Sequence, residues 1–297
     1  MSRTESAAPI CIFGPGLLGG SLALALQKKN PGAEVRICAR REDAAADVRA
    51  RGIAAVATTS VAEAARGAGF VVLATPVETM PGLARQIAAC DLASGCVVTD
   101  VGSVKGTVAG SLEQIFAGTK ASFVGSHPMA GSEKAGIDAA RADLFDGSVC
   151  IVTPSANSDS AAVELVKSFW ISLGCRLLTM SPQEHDRKVA RISHLPHVMA
   201  AITTLSALRG GLDAIECAGN GFRDTTRVAA GDPGLWKGIL LENKAEVTAA
   251  LREALGTTRE LLEIIEGMDE EKLRLFLSEA KNLRDRLAAG ATAYGND

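Results

Sequence analysis

The spacing of apolar residues changes character once along the chain. Up to about residue 180, short apolar runs alternate with stretches of helical spacing. The runs are Pro9 to Phe13, Glu34 to Ala39, Gly69 to Thr75, Cys96 to Asp100, Ser122 to Val124, Ser148 to Thr153 and Cys175 to Met180. Brief, nearly continuous apolar segments separated by helical ones predict a repeated β-α-β pattern and a parallel sheet, with ligands received where the carboxyl ends of the strands open into loops. From Ser181 onward long helical periodicity takes over, ending in a stripe formed by Leu273, Phe276, Leu277, Leu283 and Leu287. Such a stripe suits packing within a helical domain or across a dimer. The predicted division is residues 1–180 and 181–297.

The first apolar run leads into GPGLLGGSLALALQKK. Gly14, Gly16 and Gly19 there make a GxGxxG turn between a strand and a helix, and that context is what gives the motif its meaning. Gly14 permits the tight turn, Gly16 lets a pyrophosphate approach the backbone, and Gly19 lets helix pack closely on strand. Leu17 and Leu18 open the helix and would offer unpaired N–H groups to the phosphates. Thr75 and Pro76, ending a neighbouring strand, should lie at the same rim. The first half is therefore expected to be a Rossmann-type dinucleotide-binding domain, followed by an all-helical C-terminal domain.

The end of the second strand bears on which dinucleotide. An acid there would hold the ribose 2′-hydroxyl of NAD, but the chain reads Ala39-Arg40-Arg41, with Glu42 and Asp43 following. Permanently charged guanidinium groups suit a 2′-phosphate, so NADP is favoured over NAD. A surface arginine pair, with a small register shift restoring an acid, is the competing account.

Composition narrows the partners. With 297 residues, a formal net charge of −3 and no block of like charge, nothing favours nucleic acid. The N-terminus lacks the long apolar core of a secretion signal or membrane span, so a cytoplasmic protein acting on a small molecule is expected. Seven cysteines without a CxxC pair fit reduced core thiols better than disulfides or a zinc ribbon.

All four histidines fall in two stretches, GSHPMAGSEKAG with His127, and EHDRKVARISHLPH with His185, His194 and His197. His127, among glycines at the expected cofactor rim, reads as a general base in a partly open loop. His194 and His197 sit three apart, with Pro196 expected to kink or interrupt their helix. Without an HExxH arrangement or an evident carboxylate partner they do not suggest a metal site. Arg223 and Arg227 are a helical turn apart in FRDTTRVA, where Asp224 could brace Arg227. A braced arginine can clamp a substrate carboxylate, or make an interdomain salt bridge.

Together GSHPMAGSEKAG, DVGSVKG, EHDRKVARISHLPH and FRDTTRVAAGDPGLWKGILLENK resemble the prephenate and arogenate dehydrogenases of tyrosine biosynthesis, in the family's order and across most of the chain. The resemblance implies a helical domain that dimerises and an oxidative decarboxylation with NAD or NADP. It implies that His127 takes the proton of the ring C4 hydroxyl as hydride leaves that carbon, and that Ser103 orients the histidine and the hydroxyl. It further assigns Arg227 to a substrate carboxylate, His197 to a second substrate contact, and Glu133 and Trp236 to the pocket's periphery. Prephenate is the first expected substrate, with arogenate allowed. No regulatory domain or fused mutase is expected, so tyrosine feedback, if present, would act at the active site. The competing functions are another two-domain oxidoreductase, such as a β-hydroxyacid dehydrogenase or an imine reductase, for which Lys105 would be the catalytic candidate, and a catalytically silent NADP-binding protein.

Overall fold

The computed structural model describes residues 8–132, 134 and 136–293. The first six strands, β1 (Ile10–Phe13), β2 (Val35–Cys38), β3 (Val56–Thr58), β4 (Phe70–Leu73), β5 (Cys96–Asp100) and β6 (Ala121–Phe123), form one parallel sheet in the order β3-β2-β1-β4-β5-β6. Every residue of β5 is buried, as expected of an inner strand covered on both faces. Alternation along the strands sorts the core into two layers. Ile12, Val72 and Val97 join Leu22, Leu26 and Trp170 on one face, while Cys11, Phe13, Val71, Leu73 and Val98 join Met80, Ile87 and Leu112 on the other.

Helices α1 (Leu17–Lys29), α2 (Glu42–Arg51), α3 (Val61–Ala65), α4 (Met80–Ala88) and α5 (Gly106–Phe116) connect these strands. Because β1 lies between β2 and β4, the crossovers diverge at its carboxyl end, which is the position where open parallel sheets receive ligands. The Rossmann-type arrangement expected from the glycine turn is therefore present, with the expected strand ends shifted by only a residue or two and the short edge strand β3, which no apolar run announces, added to them.

One segment departs from expectation. GSHP is not part of an open loop; it forms β7 (Gly125–Pro128), antiparallel to β8 (Val149–Thr153), which pairs in parallel with β9 (Arg176–Thr179) in a separate sheet. His127 lies opposite Ile151 in that ladder and is 7% exposed, so its surroundings are closed rather than open. Helix α6 (Ser160–Ser172) follows β8, with the Asp159 side chain accepting the Ala162 N–H at its start.

Beyond β9 the described chain is helical. Helix α7 (Pro182–Val189) runs into a wide π-turn at Ala190–His194 and then into α8 (Leu195–Leu208). The interruption expected at Pro196 takes this form. Backbone angles stay right-handed at Val189, Ala190, His194 and Leu195, and the wider turn accommodates a ring that cannot donate to the turn before it. Helices α9 (Asn220–Thr226) and α10 (Pro233–Glu242) complete a compact unit ending at Val247. A second unit, from Thr248, holds most of α11 (Lys244–Glu266) and α12 (Glu270–Ala293). Leu277, Leu283 and Leu287 of the apolar stripe are exposed on α12. Among the described residues no helix is long and apolar enough to cross a membrane.

Candidate active site

The glycine turn is built on steric necessity. Gly14 has φ of 103°, and a Cβ there would stand 2.5 Å from the Ala74 carbonyl oxygen. A Cβ on Gly19 would lie 1.9 Å from the Gly14 carbonyl oxygen, whereas one on Gly16 would meet nothing within 4 Å. Gly14 and Gly19 are thus glycines for packing, and Gly16 faces open space. Helix α1 starts at that point with no side-chain cap and no acid in its first turn, leaving its first N–H groups for an anion. Gly16, Leu17, Leu18, Thr75 and Pro76 line a cavity of about 690 Å³. This arrangement fits the pyrophosphate of a dinucleotide.

Arg40 and Arg41 stand apart from that cavity, exposed after β2. The Arg41 guanidinium donates to Asp43 at 3.0 Å, and Ala39 occupies the buried position between strand and arginines.

Deeper in, Asp100 at the end of β5 ties three segments together. Its carboxylate accepts the Gly102 N–H at 2.9 Å and the Ser126 N–H at 3.2 Å, and pairs with the fully buried ammonium of Lys105. The Ser126 hydroxyl also bonds the Asp100 carbonyl at 2.7 Å and accepts from Trp170 Nε1 at 2.9 Å. These bonds anchor β7 and place the next residue, His127, in the wall of the cavity that Ser103 of the β5–α5 loop also lines.

His127 Nδ1 lies 2.8 Å from His185 Nε2, and His185 Nδ1 lies 2.7 Å from Asp186 Oδ1. The Asp186 carboxylate also accepts the backbone N–H groups of Lys105 (2.8 Å) and Gly106 (2.7 Å), so it caps α5 from a distance. Burial holds His127 well below the usual imidazole range, and the neighbouring His185, Lys105 and His194 reinforce this. Burial also lowers His185, partly offset by its bond to Asp186. At neutral pH the cavity therefore presents an uncharged imidazole.

Of the HLPH histidines, the cavity is lined by His194 rather than His197. His194 Nδ1 lies 3.2 Å from Asn243 Nδ2, whose amide also donates to the Asp186 carbonyl at 2.9 Å, while His194 Nε2 is buried with no hydrogen-bond partner among the described residues. Burial lowers the His194 pKa to about 4. His197 stacks on Trp236 with ring centroids 3.5 Å apart and planes 10° apart, so it backs Trp236, which does face the cavity. Arg227 begins a tight turn after α9 and lines the same cavity. Glu133 lies outside the described residues.

One cavity thus gathers the glycine turn, Thr75 and Pro76, Ser103, His127, Arg227 and Trp236. From sequence, His185, Asp186, His194 and Asn243 received no role in the site. The available signal was the adjacent His-Asp pair in a segment already rich in histidine.

An anion-binding helix start on a parallel sheet, opening into a cavity with a neutral histidine and an arginine, defines a nicotinamide-dinucleotide-dependent oxidoreductase. Two family models match the chain, the prephenate dehydrogenase nucleotide-binding domain over residues 22–179 and the prephenate dehydrogenase dimerization domain over 181–279. The chain belongs to the prephenate dehydrogenase family. It is 34% identical to the prephenate dehydrogenase of Bacillus subtilis (strain 168) over 281 residues, 94% of this chain and 76% of that protein. It is 32% identical to the cyclohexadienyl dehydrogenase of Zymomonas mobilis over 279 residues, 93% of this chain and 94% of that one. Among solved structures, a prephenate dehydrogenase from Aquifex aeolicus in complex with hydroxyphenyl propionate and NAD+ superposes with a TM-score of 0.88 at 32% identity, covering 96% of this chain and all of that chain.

Proposed function

We propose that this chain catalyses the oxidative decarboxylation of prephenate, with arogenate as a second substrate, and uses NADP in preference to NAD. The carrying observation is the buried, uncharged His127 in the wall of the cavity that also holds the glycine turn and Arg227. A nicotinamide dinucleotide bound at the glycine turn supplies the hydride acceptor. His127, kept neutral by burial, takes the proton of the C4 hydroxyl, and Ser103 orients histidine and hydroxyl. Arg227 holds a substrate carboxylate through paired N–H donors. Trp236, backed by His197, closes the periphery. Loss of the ring carboxylate supplies the electrons that replace the departing pair, and aromatisation drives the step.

The NADP preference rests on Arg40 and Arg41 standing where NAD-binding chains place an acid. Residues 1–180 serve the dinucleotide and 181–297 the substrate and a homodimer contact, in a cytoplasmic enzyme. The test is a four-way steady-state assay of reduced-nicotinamide absorbance, pairing prephenate or arogenate with NADP or NAD. Fastest turnover is expected for prephenate with NADP. Silence in all four pairings, from folded protein that binds the dinucleotide, would overturn the activity.

A further inference from the structure

We infer that His185 and Asp186 are positioning residues that fix the tautomer of His127 and so make its cavity-facing nitrogen a base. The inference rests on the reading of His127 as the proton acceptor and extends it to groups that never touch substrate.

Asp186 anchors the chain of bonds. Its two carboxylate oxygens accept the backbone N–H groups of Lys105 and Gly106, bonds that an ionised carboxylate makes best. The same Oδ1 lies 2.7 Å from His185 Nδ1, so that nitrogen carries a proton. A neutral imidazole has one N–H, which leaves His185 Nε2 a bare acceptor. At 2.8 Å from that acceptor, His127 Nδ1 is the donor. His127 Nε2 is then the unprotonated nitrogen, the one able to receive a hydroxyl proton. Were His185 to present a proton at Nε2 instead, His127 would be forced into the opposite tautomer, with Nε2 already occupied.

The chain of bonds is buried throughout, with His185 fully buried and Asp186 6% exposed. It joins β7, α7 and the start of α5, so three elements enforce one proton arrangement. When His127 Nε2 takes the substrate proton, the resulting positive charge is shared toward His185 and stabilised by the Asp186 carboxylate, which itself takes no proton. Since Asp186 also caps α5, its replacement would confuse folding with catalysis. His185 is the position to vary.

Leucine fills the space of His185 but accepts no hydrogen bond, whereas glutamine offers an amide oxygen to His127 Nδ1 and an amide N–H to Asp186. His185→Leu is expected to lower kcat about 100-fold or more, with KM and dinucleotide affinity within about twofold, and His185→Gln to recover kcat to within about tenfold of the parent. In a His127→Asn background, adding His185→Leu should cost less than about threefold further, because both act through one group. Equal loss in the leucine and glutamine variants, or losses that multiply in the double variant, would overturn the inference. If His127→Asn alone keeps full rate, the base reading falls first; if only His185→Leu keeps full rate, this inference alone falls. Should the leucine variant not fold, 15N spectra of the histidine-labelled parent enzyme decide directly. They should show Nδ1 protonated and Nε2 bare in both His127 and His185, and a protonated His127 Nε2 at neutral pH would refute the assignment.

Discussion

The role proposed for His127 asks two things of one side chain: a lone pair facing the cavity and a neutral resting state. Burial supplies the second, and the ladder with β8 holds the ring so that only a small part reaches the cavity. Replacing His127 by asparagine keeps a polar group of similar reach but no base. Turnover should fall by a factor of about 100 to 10,000 while dinucleotide binding stays within about twofold, read by steady-state rates and fluorescence titration. An unchanged rate would remove His127 from the chemistry. Arg40 makes the complementary case for specificity. It is exposed, and among the described residues no ion pair holds it, so its guanidinium can meet a 2′-phosphate. A charge-assisted hydrogen bond contributes about 1.5–3 kcal/mol, so Arg40→Ala should lower kcat/KM for NADP by roughly 10- to 100-fold and leave NAD almost untouched. Equal losses with both dinucleotides would argue against contact with the 2′-phosphate.

The turn between β1 and α1 separates packing from binding by means of two glycines. At Gly19 the added methyl of alanine would overlap the Gly14 carbonyl, a backbone group that cannot turn aside, with Ile12 Cγ2 also only 3.2 Å away. Gly16→Ala meets no protein atom, so its methyl enters only the space in which phosphates would sit. Gly19→Ala should therefore lower the melting temperature of the ligand-free protein, and Gly16→Ala should leave it within about 1 °C yet weaken dinucleotide binding at least tenfold. Normal binding by Gly16→Ala would place the phosphates elsewhere. This element was legible in sequence because every contact that defines it is local: strand, three spaced glycines, helix. The strand at GSHP was not. Four residues that include a glycine and a proline have weak strand propensity, and they pair with β8, whose partner residues lie more than twenty positions later. The same distance hid His185 and Asp186, whose role depends on α7 meeting β7 and the start of α5. Pro196 announced an interruption of its helix, but only the folded chain shows it as a wide turn that carries His194 to the cavity.

Across the whole molecule the histidines impose a shared pH dependence. All four are buried, and burial lowers each below the ordinary value of 6.5. In the unfolded chain they take up protons as pH falls through about 6.5, whereas in the folded protein they resist until lower pH. The unfolded state then binds more protons, so stability is fully present above that range and is lost as pH falls. For His194, held at about 4, the loss amounts to about 2 kcal/mol between pH 6.5 and 5 and about 3 kcal/mol by pH 4. The carboxylates Asp43, Asp146, Glu184, Asp269 and Glu271, none of them buried, are all lowered by their basic or backbone partners, so they titrate beneath the upper part of this window. Urea unfolding at pH 7.5, 6.5, 5.8 and 5.0 should give a midpoint that declines slightly over the first interval, as the unfolded histidines become half protonated, and more steeply over the rest. His194→Asn, whose amide can still meet Asn243, should flatten part of the fall. A midpoint that stays level to pH 5 would mean that the folded and unfolded chains take up protons alike, so that burial lowers none of these imidazoles below 6.5. His127 would then be partly charged near neutral pH, and the neutrality that burial gives the proposed base, on which the tautomer chain behind it also depends, would lose its physical ground.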